Sequence, residues 1–366
     1  MKKKTMIFLG ILLVAVVGWL WFSKSRAKEN QMNMTDSGDH QIMEVSESKT
    51  SKIRHLEDGL SYVRYDDDYG FQGFLDAGGA SSDEEVLQYL MDHVLDDTGD
   101  LAFLKNLFGC STIQTRNAKG DVLFGRNFDW EHSNALIIQS YPENAYASVS
   151  TVNLDFIQSG TSMPIDQLPD DVLAKAALYA PLDGMNEKGL AVSVNMIQDS
   201  DVIAQSGENQ NLTTTTAIRL LLNKAANVEE AVELLRGYNL HSSMGMMIHF
   251  AIADAKGRSV VVEYVNHEMN VIETPVVTNF YHSPGEKQTI GTSQSHERYD
   301  ILMDQLKREE TMEMDQVRDA LNSVSKDNFG EFESTEWSIV YNLQTREIHY
   351  YHRENYNRRY VLHISE

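Results

Sequence analysis

Cys110 is the one cysteine among 366 residues, and it follows a glycine in Phe108-Gly-Cys-Ser-Thr-Ile-Gln-Thr-Arg116. A lone cysteine excludes an intramolecular disulfide framework and any cysteine-rich metal site. Its ordinary role is that of a small buried hydrophobe. A chemical role requires a base for the thiol and a stabiliser for the oxyanion. The 12 histidines leave a Cys–His pair open, although none sits in a local signature of that kind. A second arrangement draws the base from the nucleophile's own residue. If the Gly109–Cys110 bond is cut, Cys110 gains an α-amine with a pKa of about 7.7–8.0, against about 8.5 for its thiol. That near match lets the amine take the thiol proton at neutral pH and return it to an amide leaving group. Glycine suits such a cut, because its carbonyl carries no side chain against the approaching sulfur.

Other chemistries find little support. His249, His282 and His296 lack ligand-type spacing, and the HEMNV and HERYD stretches lack the second histidine of a zinc protease motif. There is no Gly-x-Ser-x-Gly and no phosphate-binding glycine loop, so neither a metal nor a cofactor is expected. The net charge of −23, from 54 acidic and 31 basic residues, repels phosphate backbones and argues against a nucleic-acid partner. An anionic substrate would need a locally basic pocket.

Cys110-Ser-Thr-Ile is followed at sixteen residues by Arg126 and at nineteen by Asp129, within Phe124-Gly-Arg-Asn-Phe-Asp-Trp130. This pattern resembles the choloylglycine hydrolase and penicillin V acylase family, N-terminal-nucleophile (Ntn) hydrolases that cut linear amides. Three further blocks follow in the family's order. Gly184-Met-Asn-Glu-Lys-Gly-Leu-Ala-Val-Ser-Val-Asn195 is similar to a turn and strand ending in an oxyanion-hole asparagine. His249-Phe-Ala-Ile-Ala-Asp-Ala-Lys-Gly257 leads through Val260-Val-Val-Glu263 to Val276-Val-Thr-Asn279, which resembles the segment carrying a second active-site asparagine. Glu297-Arg298-Tyr299 matches a late arginine. The resemblance runs from Cys110 to the C-terminus. It implies Cys110 as nucleophile and, through its amine, base. It implies Asp129 as acceptor for that amine and Arg126 as the cation that lowers the thiol pKa. Asn195 and Asn279 would donate to the oxyanion, and Arg298 would complete the polar network around Asp129 and the thiol.

In many bacterial members the cysteine directly follows the initiator methionine, whereas 109 residues precede it here. That matches the propeptide-bearing branch of acid ceramidase and N-acylethanolamine amidase type. The expectation is therefore a self-cut between Gly109 and Cys110, with the preceding segment as an intramolecular partner. The substrate would be a small N-acyl amide. Conjugated bile salts, phenoxyacetyl penicillins, N-acyl homoserine lactones and fatty acyl amides all fit, with an acyltransferase or an inactive tethered binding protein as alternatives. Homo-oligomerisation stays open.

The elements that must position these residues follow from the local pattern. Residues 1–28 open with three lysines, Lys2 to Lys4, followed by an uncharged, mostly apolar run from Met6 to Phe22, read as a signal anchor or, alternatively, a removed signal peptide. The chain would then be a single-pass membrane protein with an extracellular catalytic part, or secreted. Residues 29–52 are polar and read as a flexible linker. Residues 53–109 read as a partly helical propeptide. In it Ser81 or Ser82 caps a helix whose face is Val86, Leu87, Leu90, Met91, Val94 and Leu95. Residues 110–366 form the catalytic domain, in which short Asn-Ala-Lys-Gly and Asn-Glu-Lys-Gly turns join β-prone runs into hairpins. A helical region from Thr213 breaks near Asn227, two further helices follow the meander, and a hairpin from Glu336 to Arg353 closes the domain. This predicts an α+β class with antiparallel sheets. The resemblance implies a four-layer αββα sandwich in which Cys110 opens a central strand. Pocket loops are expected at 131–134, 140–153 and 158–170, with Tyr141, Tyr146, Phe156 and Met163 as an apolar lining.

Overall fold

The computed structural model describes residues 34–37, 40–45, 52–95, 101–103, 109–159, 168–329 and 333–365. Four hairpins in it turn by the same device. Asn117, Asn186, Asp254 and Asn342 each open a turn, and each Oδ1 accepts two backbone N–H groups from the residues that follow. A short side chain that satisfies the turn's own amides reverses the chain within a few residues, so neighbouring strands run antiparallel.

These hairpins assemble into two large sheets. The first has eight strands in the spatial order Met34–Ser37, His40–Glu44, Arg358–His363, Glu347–His352, Ser334–Asn342, Val122–Trp130, Gly109–Arg116 and Val276–Val277. The second has nine: Glu268–Glu273, Ser259–Val265, Ile248–Ala253, Ala191–Met196, Asp183–Asn186, Ser148–Asn153, Ala135–Ser140, Leu60–Tyr65 and Arg54–Glu57. Within these sheets two neighbouring pairs are parallel: His40–Glu44 with Arg358–His363, and Leu60–Tyr65 with Ala135–Ser140.

Helices cover both outer faces. Ser293–Arg308 and Met314–Asn322 bury Leu302, Val317 and Leu321 against Ile113, Leu123, Val276 and Val340 of the first sheet. The contact is close at Gly125, where a Cβ would lie 2.7 Å from Val317 Cγ1 and 3.0 Å from Ile113 Cγ2. Thr214–Lys224 and Val228–Arg236 lie on the second sheet. Thr213 caps the first of these through a capping box and Asn227 caps the second, so the expected break falls between two capped helices. The Ala191–Met196 strand packs against Gly109–Arg116 across the middle. The result is the expected α+β, four-layer αββα sandwich.

Several expectations about organisation change. The polar segment read as a linker contains the strands Met34–Ser37 and His40–Glu44, and the second docks on Arg358–His363 with Met43 and Val45 buried. Alternate apolar side chains were enough to make a strand with a partner on each side. The segment before Cys110, expected to be partly helical, holds strands as well as helices. It gives Arg54–Glu57 and Leu60–Tyr65 to the second sheet, beside the helices Phe71–Asp76 and Asp83–His93, the latter capped by Ser82. Residues 135–153, expected to include a pocket loop, are mainly the hairpin of Ala135–Ser140 and Ser148–Asn153, with both strands buried. Cys110 lies on the strand next to the sheet edge rather than on a central one, covered by the two-residue strand Val276–Val277. A third strand, Arg358–His363, follows the closing hairpin. The Met6–Phe22 run and Met163 lie outside the described residues. Among the described residues no helix is long and apolar enough to cross a membrane.

Candidate active site

Successive side chains of a strand point to opposite faces. That alternation divides the Phe124–Trp130 motif between two layers. Arg126 and Phe128 face the second sheet, while Asp129 faces the helical side. Arg126 and Asp129, three residues apart, are therefore not each other's partners. Arg126 Nε donates to Asp183 Oδ2 at 2.7 Å, with both side chains fully buried. Asp129 Oδ2 accepts from Arg298 Nη1 at 2.8 Å, and its Oδ1 accepts from Thr335 Oγ1 at 2.8 Å.

Cys110 sits opposite Phe128 in the ladder and is wholly buried. On its other side the pairs Val276–Ile113 and Val277–Thr112 set a register that carries Asn279 level with Cys110. There Asn279 Oδ1 accepts from the Cys110 backbone N–H at 2.8 Å and from Arg298 Nη2 at 2.7 Å. Arg298 thus joins Asn279 to Asp129, and the group expected to become the α-amine already rests on this bridge. Two donors converging on one oxygen also fix the amide orientation, so Asn279 Nδ2 must point away, and it donates to Met196 O at 2.7 Å.

Asn195 is oriented in the same way. Its Oδ1 accepts from Arg126 Nη1 at 3.3 Å and Ser193 Oγ at 3.2 Å, and its Nδ2 donates to Val277 O at 3.2 Å. Both asparagines expected at an oxyanion site therefore spend one amide proton on a backbone carbonyl. An NH₂ group has two, and the second of each is left for a ligand.

Arg126 is the cation of the site. Its Nη2 makes no well-formed hydrogen bond among the described residues, and the guanidinium is coupled to the neighbouring Cys110 thiol. The expected lowering of the thiol pKa is nonetheless outweighed in this uncut chain. Burial pushes the thiol up, Arg126 pulls it down, Asp129 pushes it up again, and the net shift is upward. Desolvation of a sulfur sealed between two sheets is the larger effect.

All six residues expected from the sequence converge here. The structure adds others. Asp183 completes the Arg126 pair and also accepts from Trp337 Nε1 at 2.9 Å. It stands directly before the Gly184–Asn195 block, and the need of a buried arginine for a carboxylate was the signal that could have found it. Lys326 and Glu333 pair at 2.6 Å beside Asp129, and Lys326 Nζ is 3.8 Å from Asp129 Oδ2. No spacing in the sequence marks them. A third addition supports Asn279 from behind. His249 Nδ1 lies 3.1 Å from Glu263 Oε1 and its Nε2 lies 2.8 Å from Thr278 O, while Glu263 accepts from the backbone N–H groups of His282 and Ser283. Burial raises the Glu263 pKa, but His249, the His282 N–H and Ser283 outweigh it and hold the carboxyl at about 2. Both ring nitrogens of His249 are thus taken by Glu263 and Thr278. Among the described residues no cluster could hold a metal ion.

Of the expected apolar lining, Phe156 packs on Phe128 and Trp130 and borders a narrow cleft with Ala180, Leu182 and Met244. Asp83, from the segment ahead of Cys110, closes that cleft by accepting from Met244 N–H at 2.6 Å. Tyr141 and Tyr146 do not join it. Tyr141 lies under Arg64 and bonds Ser365, and Tyr146 lies under Lys188.

Three comparisons bear on this geometry. The family model for acyl-coenzyme A:6-aminopenicillanic acid acyl-transferase matches residues 175–357, half of the chain, beginning after Asp129. A bile salt hydrolase/transferase of Clostridium perfringens (strain 13 / Type A) is 25% identical over 175 residues, which is 46% of this chain and 51% of that protein. The match thus spans about half the length of that curated relative. Two crystal structures of conjugated bile acid hydrolase from Clostridium perfringens, a cysteine-to-alanine mutant and an arginine-to-leucine variant, each superpose with a TM-score of 0.51. They are 18% and 17% identical, and they cover 70% and 69% of this chain and 92% of each solved chain.

Proposed function

This chain belongs to the family of acyl-coenzyme A:6-aminopenicillanic acid acyl-transferase, among Ntn hydrolases of choloylglycine hydrolase and penicillin V acylase type, and from that premise we propose that it is a cysteine amidase acting on linear N-acyl amides after cutting itself between Gly109 and Cys110. The observation that carries the reading is the hydrogen-bonded bridge from Cys110 N–H through Asn279 and Arg298 to Asp129, with Arg126 beside the thiol.

In the cut enzyme the Cys110 amine replaces the amide N–H on Asn279 Oδ1 and takes the proton of its own thiol. The thiolate adds to the substrate carbonyl carbon. The second amide protons of Asn195 and Asn279 stabilise the oxyanion, a kind of contact whose loss typically costs about 3 kcal/mol. The amine then protonates the leaving nitrogen, a thioester remains on Sγ, and water releases the acid and restores the thiol. Arg126 holds the thiolate form by charge.

The segment ahead of Cys110 would remain with the enzyme by non-covalent contact. Its two strands in the second sheet and the Arg358–Glu57 ion pair at 3.0 Å support that part of the reading. Residues 1–28 would place the chain at a membrane with its catalytic part outside the cell, or be removed on secretion.

Sequential degradation of the purified protein tests the cut. A new N-terminus reading Cys-Ser-Thr-Ile-Gln is expected, and an active, uncut chain would overturn the reading. Cys110→Ala should leave the chain uncut and inactive on a panel of acyl amides. Acyl transfer is the second reading, favoured by the family model's own description. A competing amine in the assay decides it: transfer products in place of free acid would make the chain a transferase.

A further inference from the structure

Gly109 lies directly opposite Asp129 in the first sheet, so the expected cut falls at a fixed place in the ladder. Side chains crowd its α-carbon. A Cβ at this position would overlap Glu333 Oε1, lie 2.9 Å from Lys326 Nζ and lie 3.2 Å from Asp129 Oδ2. Glu333 is not a loose chain end that can swing aside freely, because its other oxygen is 2.6 Å from the Lys326 ammonium. Lys326 is held in turn. Its backbone N–H donates to Thr335 Oγ1 at 2.8 Å, the same hydroxyl that donates to Asp129 Oδ1, and its carbonyl accepts from Thr335 N–H at 2.9 Å. The Lys326 side chain is only 6% exposed. Amide turnover as described above makes no use of this ion pair.

We propose that Lys326 and Glu333 form a maturation clamp, which seats the Gly109 carbonyl for self-cleavage and requires glycine at that position. The inference rests on the maturation reading above. In the cut, the Cys110 sulfur adds to the Gly109 carbonyl carbon while its proton passes by way of water to the Cys110 nitrogen. The C–N bond then breaks and the nitrogen becomes the Cys110 amine, leaving Gly109 as a thioester on Sγ. Water cleaves the thioester, giving the Gly109 carboxylate and the free thiol. Lys326 places a positive charge beside the Gly109 α-carbon, the atom next to the carbonyl at which oxyanion charge develops, where a fixed charge in a dry site acts strongly. Glu333 fixes that ammonium and walls the α-carbon, so the carbonyl keeps one orientation. Lys326 is thus a positioning residue of the cut.

The test follows the cut in freshly purified full-length chain by intact mass. Lys326→Met should slow it by about tenfold or more, and Lys326→Arg, which keeps the charge, should recover part of the rate. Gly109→Ala should also slow the cut, and Gly109→Ala with Glu333→Ala should cut faster than Gly109→Ala alone, because the second change removes the wall. A Lys326→Met chain cut at the wild-type rate would overturn the clamp. So would a Gly109→Ala chain that Glu333→Ala does not relieve, which decides the matter even if Lys326→Met misfolds. A wild-type chain never cut at this bond would instead remove the maturation reading, and the clamp with it.

Discussion

Arg126 and Arg219 are both wholly buried, yet they are solvated by opposite means. Arg126 meets a carboxylate, Asp183, and retains a donor, Nη2, with no well-formed bond. Arg219 meets no carboxylate among the described residues. Its Nε donates to Leu178 O at 2.8 Å, its Nη1 to Ser148 Oγ at 3.1 Å and its Nη2 to Ser150 Oγ at 2.8 Å, with the Tyr69 ring beside it. Burial lowers the pKa of both. At Arg126 the interactions with Cys110 and Asp183 reverse the shift and hold the proton more firmly, whereas at Arg219 the Tyr69 interactions do not, and the shift stays downward. On the proposed function, the difference separates a charge kept for chemistry from a charge kept for architecture. Only the first is paired with a fixed anion while leaving a donor for something that arrives later. Arg219 spends each of its three nitrogens on neutral oxygens in one place, where the helix Thr214–Lys224 meets the second sheet.

The largest effect is expected at Arg126. Arg126→Met should lower amide turnover by about 10²–10³-fold, the range for loss of a preorganised electrostatic group. It should also destabilise the fold by about 3–5 kcal/mol, because Asp183 is left as a buried, unpaired charge. Arg126→Met with Asp183→Asn should regain much of the stability and none of the turnover. Steady-state kinetics and urea unfolding on the same samples check both halves. Recovery of turnover in the double variant would make Arg126 architectural too, and the contrast with Arg219 would vanish.

That contrast was only half legible in the sequence. Arg126 stands in a spaced motif with Cys110 and Asp129, and hairpin turns opened by Asn or Asp fix strand order and register over much of both sheets. The face on which each residue falls was harder to read. Strand alternation sends Arg126 and Asp129 to different layers, so their true partners, Asp183 and Arg298, come from segments distant in the chain. Arg219 lies in Thr-Ala-Ile-Arg-Leu-Leu-Leu, which reads as any amphipathic helix. Nothing local shows that its solvent would be two serines of a sheet. Lys326 was hidden for the same reason: its meaning depends on the Gly109–Asp129 pairing across the ladder.

A third buried charged site sharpens the comparison through pH. Glu263 resembles Asp183 in its burial but is held by His249 and by backbone N–H groups rather than by an arginine. Its folded pKa of about 2 lies below the ordinary 4.5. A depressed carboxyl contributes stability that is fully present above its unfolded pKa and is lost as pH falls through the folded one. The wild type should therefore lose on the order of 3 kcal/mol from this group between about pH 4.5 and pH 2. Burial lowers His282 to about 4, which adds a loss in the same direction between about pH 6.5 and pH 4. Because many other carboxyls titrate here, the readout is the difference in unfolding free energy between wild type and Glu263→Gln. That gap should close as pH drops from 4.5 to 2. A constant gap would mean that Glu263 holds the Asn279 segment by packing alone.

The smallest effect is expected at Arg219, and it decides whether the two arginines differ in kind or only in degree. Arg219→Met removes a charge that burial already disfavours, which offsets part of the loss. It also strips the Leu178 carbonyl and two serine hydroxyls of their donor, at a typical cost of about 1–3 kcal/mol for a buried polar group left unmet. Serine hydroxyls can rotate to new partners, so the net destabilisation should stay below that of Arg126→Met. Turnover per correctly cut molecule should remain near the wild-type rate, since Arg219 touches neither Cys110 nor any residue bonded to it. Counting active sites by titration of the thiol, then comparing rates per site, separates lost folding from lost chemistry. A fall in per-site rate as deep as that of Arg126→Met would show that the second sheet's serine-bound arginine reaches the reaction through Ser148–Asn153 and Asp183, which are paired strands. The distinction between the two buried charges would then have to be abandoned.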